Sequence, residues 1–107
     1  MIYFDNAATS FPKPEAVIRA QELAMRECGN PGRGSHKLAL RASEILYECR
    51  SEAAAYFDAW SAENAVFTWN ATAALNQAIK GLARQGDHLL ISDLEHNAVL
   101  RPVQKLA

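Results

Sequence analysis

Long apolar runs are missing from this sequence. Although 50% of its 107 residues are hydrophobic, no stretch approaches the roughly 20 consecutive apolar residues of a membrane span. An excess of one charge is missing too. Eleven Lys and Arg stand against twelve Asp and Glu, a formal net charge of −1. A broad cationic surface for nucleic acid is therefore not expected. Cysteine is scarce, with only Cys28 and Cys49. The opening Met1-Ile2-Tyr3-Phe4-Asp5 has neither the basic nor the apolar region of a signal peptide. Both thiols are expected to be free in a reducing cytoplasm. There is no internal repeat and no low-complexity tract, and no metal site is assigned.

What is present alternates between helix-like and strand-like segments. Ile2-Tyr3-Phe4 reads as extended, and Asp5 to Ser10 as a polar turn or loop. Pro14 suits a first helical turn, where its missing N–H has no helical partner anyway. A helix is expected from there to about Cys28, with Val17, Ala20, Ala24 and Cys28 on one side. Gly29-Asn30-Pro31-Gly32-Arg33-Gly34 breaks it. A second helix is expected from about Lys37 to Asp58, with Leu38, Ala42, Ile45, Leu46, Cys49, Ala53, Tyr56 and Phe57 near a 3.6-residue period. Ala65 to Trp69 and His88 to Ser92 read as strands buried on both faces. Between them lie a helix, Ala71 to Leu82, and a turn at Gly86-Asp87. This is a βαβ pattern, which predicts parallel, neighbouring strands and a right-handed crossover. Helix resumes at Asn97. Val99 to Ala107 reads as a helix beginning without a glycine cap or polar tail, as expected of a chain that continues.

Two places in this pattern carry chemistry. The first is Asn70-Ala71-Thr72-Ala73-Ala74, where a strand gives way to a helix. Backbone N–H groups of a first helical turn lack helical partners and bind anions with help from the helix dipole. The small side chains at Ala71, Ala73 and Ala74 would let a phosphate approach, and Thr72 adds a hydroxyl. The plainer alternative is that Asn70 or Thr72 only caps the helix. Asn70-Ala71-Thr72 also fits a glycosylation acceptor, an accidental match without a secretion signal. The second place is His96, just past the His88 to Ser92 strand. Ligands in open α/β sheets bind at this edge, so Thr72 and His96 are expected to share a crevice. His96 could stack on an aromatic ring or move a proton there. The alternative is a surface histidine beside a helix cap.

Four segments then resemble one family. Tyr3-Phe4-Asp5-Asn6-Ala7-Ala8-Thr9 resembles the opening motif of class V aminotransferases and cysteine desulfurases. Gly32-Arg33-Gly34-Ser35-His36 is similar to the loop after their first helix. Asn70 to Asn76 resembles their phosphate-binding turn, and Leu94-Glu95-His96-Asn97-Ala98-Val99-Leu100-Arg101-Pro102 their ring-stacking histidine segment. The segments come in the family's order and span nearly the whole chain. Many relatives carry an acidic residue soon after the phosphate-binding threonine; here Ala73 and Ala74 follow.

The resemblance implies an α/β fold. N-terminal helices (1–60) would be followed by the first βαβ unit of a fold-type I transferase large domain (61–107), an incomplete domain as it stands. It implies a pyridoxal 5′-phosphate cofactor held by Ala71 and Thr72, with His96 stacked on its ring and taking part in catalysis. Asn6, Ala7, Ala8, Arg33 and His36 would lie near the substrate. The implied reaction takes cysteine to alanine and an enzyme-bound persulfide. Selenocysteine lyase and class V aminotransferase are the near alternatives. A homodimer and a sulfur-acceptor protein are the implied partners, in the cytoplasm.

The family's Schiff-base lysine, its pyridine-pairing aspartate and its nucleophilic cysteine belong to later segments and have no counterpart here, so the chain alone is expected to be inactive. Ser35-His36-Lys37 superficially resembles the lysine motif. It precedes the βαβ pattern, however, so Lys37 is expected to be a solvated helix start. Cys49 is expected on the apolar side of its helix, as a small hydrophobe. Cys28, beside Gly29, is expected to be more exposed. Neither has an identifiable basic neighbour that would make it a nucleophile. From another class of function, a phosphate-binding or interaction module without catalysis fits the same residues.

Overall fold

A computed structural model describes residues 2–106; Met1 and Ala107 lie outside the described residues. The helices are α1 (Glu15–Glu27), α2 (Lys37–Tyr56), α3 (Ala71–Leu82) and α4 (Asn97–Leu106), with a short 3-10 turn at Ala62–Asn64. The chain forms two compact units, Met1–Ala65 and Val66–Ala107. None of the helices among the described residues is long and apolar enough to cross a membrane. No group of three His, Cys, Asp or Glu there is placed to hold a metal.

In the first unit Tyr3 closes the opening loop. Its hydroxyl shares its one proton between the Asp5 and Thr9 carbonyls, at 3.1 and 2.9 Å. Its ring meets Phe11 edge-on at 5.4 Å. Pro14 precedes α1 with φ −55° and ψ 139°, and the helix starts with Glu15 and has Arg26 in its last turn, both favourable to the dipole. Glu15–Arg19 and Glu22–Arg26 are exposed i,i+4 pairs at 3.1 and 2.7 Å, each contributing about 0.3–0.5 kcal/mol. The turn after α1 is tied to α2 by Gly29 N–H donating to the Leu38 carbonyl at 3.0 Å. Gly34 is needed sterically, because a Cβ there would stand 2.9 Å from His36 Cδ2.

α2 ends two residues earlier than the apolar period suggested. Asp58 takes a left-handed φ of 54°, which Asp tolerates better than most residues. Ala59 N–H then donates to the Ala54 carbonyl at 2.8 Å, and Asp58 N–H to the Ala55 carbonyl at 3.4 Å. This is a Schellman closure without glycine. The buried residues of α2 are Ala39, Ala42 and Ala54. Neighbouring chain approaches closely only where the helix side chains are small. The apolar stripe through Leu38, Ile45 and Cys49 is rotated from that buried line by roughly 100°, at about 100° per residue. Cys49 is consequently exposed and Cys28 half-buried, the reverse of the sequence expectation.

In the second unit α3 and α4 contact each other. With residues 89–91 they surround an apolar hollow of about 300 Å³, lined by Ile79, Leu90, Val99 and Val103 among others. The turn joining α3 to the next segment is set by Gly86, with φ 91°. Asp87 N–H donates to the Arg84 carbonyl at 3.1 Å across it. The expected βαβ unit is not formed: among the described residues there is no strand. A strand exists only when its backbone groups pair with another, and residues 65–69 and 88–92 exchange no backbone hydrogen bonds. Their apolar side chains are correspondingly open, with Trp69 98% and Leu90 90% exposed. Only the helical part of the pattern, Ala71–Leu82, has the bounds expected of it.

Candidate functional site

The start of α3 is organised by Asn70. Its side-chain oxygen accepts from Ala73 N–H at 2.8 Å, and its carbonyl accepts from Ala74 N–H at 3.1 Å. Thus Asn70, not Thr72, is the cap. The cap uses the third and fourth N–H groups of the helix. The first two, on Ala71 and Thr72, have no acceptor among the described residues. They are the orphan donors that an anion can fill.

The start of α4 is organised by His96. Its carbonyl accepts from Val99 N–H at 2.8 Å and Leu100 N–H at 3.1 Å. Its Nδ1 accepts from Ala98 N–H at 3.1 Å. In the neutral ring that bond puts the proton on Nε2, leaving Nε2–H as the free donor. His96 is therefore a cap residue and still has one ring nitrogen to offer.

Thr72 and His96 line one open hollow of about 400 Å³, together with Asn76, Asn97, Ala98 and Arg101. The lining holds a hydroxyl, an imidazole, a guanidinium and amides, and no carboxylate. Arg101 has no ion pair among the described residues. A donor set of this kind suits an anionic group beside a flat ring, since Arg and unpaired N–H groups both recognise phosphate oxygens. Asn76 and Arg101 stand inside segments singled out in the sequence, but no role had been read for either.

The remaining sequence candidates belong to the first unit. Asn6 accepts from Phe11 N–H at 3.1 Å, so its side-chain oxygen holds the opening loop. Ala7 and Ala8 are exposed in that loop. Arg33 is exposed. His36 caps α2, its Nδ1 accepting from Ala39 N–H at 3.3 Å. Lys37 is exposed at the first position of α2.

Comparison with known proteins gives a consistent result. Residues 2–107 match the family model described as aminotransferase class-V. A cysteine desulfurase of Dickeya dadantii is 38% identical over 112 aligned positions, covering 100% of this chain and 27% of that protein. A probable cysteine desulfurase of Methanothermobacter thermautotrophicus is 36% identical, covering 98% of this chain and 26% of its own length. A cysteine desulfurase of Synechococcus elongatus is 35% identical, covering 100% of this chain and 18% of its own. The chain thus spans about a quarter, or less, of the curated relatives it matches. No solved structure matches.

Proposed function

The chain belongs to the class V aminotransferase family, and we propose that it carries the phosphate- and ring-binding corner of a pyridoxal-phosphate-dependent, cysteine desulfurase-like enzyme. Class V aminotransferases and cysteine desulfurases are pyridoxal-phosphate enzymes in general. The observation that carries the reading is the shared hollow of Thr72 and His96 with two unspent N–H groups beside it. In this reading the N–H groups of Ala71 and Thr72 and the Thr72 hydroxyl hold the cofactor phosphate, and Arg101 adds a positive charge. The His96 ring stacks on the cofactor. Its Nε2–H is the proton that can be moved at the reacting end.

Bound pyridoxal phosphate supplies an electron sink for chemistry on an amino acid. The substrate is read as cysteine, with selenocysteine as the close analogue, and sulfur passes to a thiolate outside Cys28 and Cys49. Asn6, Ala7, Ala8, Arg33 and His36 are assigned to the substrate side. Residues 65–69 and 88–92 are read as parallel strands that pair once further strands flank them. A homodimer, a sulfur-acceptor protein and a cytoplasmic setting complete the proposal.

The test is direct binding. Pyridoxal 5′-phosphate is titrated into the chain and into Thr72→Val and His96→Ala variants, followed by calorimetry and by the cofactor's absorbance. Thr72→Val is expected to weaken binding of both the cofactor and inorganic phosphate. His96→Ala is expected to weaken the cofactor alone, by about 0.5–1.5 kcal/mol for the lost ring contact. Equal binding by all three proteins would remove Thr72 and His96 from the site.

A further inference from the structure

α4 contains a proline in its interior, Pro102, which is buried. Proline has no N–H, so the carbonyl four residues earlier loses its helical donor. That carbonyl belongs to Ala98, itself buried. A buried carbonyl left unpaired is costly. The vacancy is filled from α3: Asn76 Nδ2 donates to the Ala98 oxygen at 3.3 Å. The same amide nitrogen donates to the Thr72 carbonyl at 3.0 Å. An –NH2 group has two protons, so both bonds can be made together. Asn76 therefore joins Thr72, within the candidate phosphate turn, to the residue whose N–H fixes the His96 ring.

We infer that Asn76 is a positioning residue, capturing the Ala98 carbonyl freed by Pro102 and thereby holding the Thr72 turn and the His96 ring in one fixed arrangement. It lines the same hollow, but its amide nitrogen is given to the Thr72 and Ala98 carbonyls, so it is assigned to act through them. The inference deepens the proposed function and, for its effect on ligand binding, rests on it. The geometry has a specific consequence. Asn76 matters because Pro102 is there. Giving position 102 an N–H lets the helix satisfy Ala98 by itself, and the amide becomes dispensable.

The experiment is a double-mutant cycle in the full chain with Asn76→Leu and Pro102→Ala, plus Asn76→Gln as the conservative variant. Two quantities are read: the His96 ring nitrogen shifts by NMR, which report the tautomer, and the dissociation constants for inorganic phosphate and pyridoxal 5′-phosphate. Asn76→Leu should weaken both ligands by about fivefold to tenfold, the scale of one or two lost hydrogen bonds. It should also move the ring from the Nε2–H form toward a mixture. Asn76→Gln should recover part of both effects. In the Pro102→Ala background, Asn76→Leu should cost less than about twofold. The inference is overturned if Asn76→Leu leaves the ring pattern unchanged, or if its effect is as large in the Pro102→Ala background. Should Asn76→Leu not fold, Asn76→Gln alone and with Pro102→Ala carries the same cycle. If the unsubstituted chain binds neither ligand, the proposed function falls, while the ring nitrogen shifts still decide the role of Asn76.

Discussion

The two units cap their helices in similar ways and differ in the charges beside the donors left over. In the first, motif side chains serve local structure. Asn6 holds Phe11 N–H, and His36 caps α2. His36 too keeps its Nε2, and Lys37 and Leu38 N–H have no acceptor among the described residues, but the hollow beside them carries Glu27 and Glu44, whereas the hollow of the second unit carries no carboxylate. Asn70 satisfies Ala73 and Ala74 but leaves Ala71 and Thr72 N–H unspent. His96 accepts through Nδ1 and keeps Nε2–H. Arg101 has no carboxylate partner among the described residues. A residue of suggestive type is therefore weak grounds for a site until its hydrogen bonds have been counted. Donors that remain after the backbone is satisfied, with no carboxylate beside them, are the better guide.

The largest contrast to test is between holding an anion and capturing a carbonyl. The second unit has spare donors, but no lysine lines its hollow. Lys13, Lys37, Lys80 and Lys105 are all exposed. Borohydride treatment of the chain with pyridoxal 5′-phosphate is expected to give no one-to-one adduct on a single lysine. Peptide mass spectrometry reads this directly. A stoichiometric adduct at one position, above all at Lys37, would restore the Ser35-His36-Lys37 reading set aside above.

Next in size is the removal of one unspent donor without disturbing the helix. Ala71 is the first residue of α3 and follows Asn70, whose ψ of 170° is already extended. Both features suit a proline at this position. Ala71→Pro should therefore keep the far-ultraviolet helix signal and lose a charge-assisted bond to phosphate. The expected weakening is roughly 10–150-fold, from about 1.5–3 kcal/mol. If phosphate affinity survives this change, the Ala71 N–H is not part of the site.

How much of this was legible in the sequence depends on whether the deciding partner is close in the chain. Ala71–Leu82 follows from a local cap and a local period. α1 and α2 follow from Pro14 and from the glycine-rich break between them. Strand-like segments at 65–69 and 88–92 were legible but their pairing was not, because a strand is made by its neighbours and these residues exchange no backbone hydrogen bonds. The exposure of Cys49 was misjudged because its apolar stripe was read as the buried one, whereas close contact selects the alanine line. Of the site, the nearness of Thr72 and His96 followed from topology, expected from a sheet and delivered here by α3 against α4. The link from Asn76 to Ala98 crosses 22 positions. No local rule could have found it, although Pro102 advertised a carbonyl in need of a donor.

A smaller effect tests whether His36 does more than cap its helix. His36→Ala removes the side-chain acceptor at the start of α2, at 3.3 Å a long bond in an exposed place. The expected loss is about 0.5–1 kcal/mol, toward the low end for helix caps. It should appear as a lower urea midpoint with unchanged affinity for inorganic phosphate. A His36→Ala variant of normal stability but altered phosphate affinity would show that His36 does more than cap α2.

The smallest effect concerns acid. Glu63 lies in the 3-10 turn, fully exposed, and its carboxyl is held below the ordinary glutamate value. The leading cause is the Ser61 hydroxyl, followed by the Glu63 backbone N–H, with burial slightly opposing and Arg50 adding a weak favourable charge. Ser61 has one proton to share, and it also faces Asn64 Oδ1 at 3.1 Å. The bond to Glu63 is therefore part-time, and the effect on stability is small. Its sign is nevertheless fixed. A folded-state value below the unfolded one means the contribution is fully present above the ordinary glutamate value. It is lost as pH falls through the lowered value. Carbon-13 titration of the carboxyl should give a depressed midpoint. Ser61→Ala should raise that midpoint more than Arg50→Ala does, and added salt should change it little, because the leading causes are contacts and not long-range charge. Glu63→Gln should flatten the acid side of the unfolding profile. A midpoint at or above the ordinary value, or one that shifts more with Arg50→Ala than with Ser61→Ala, would show that the Ser61 turn does not hold this carboxylate.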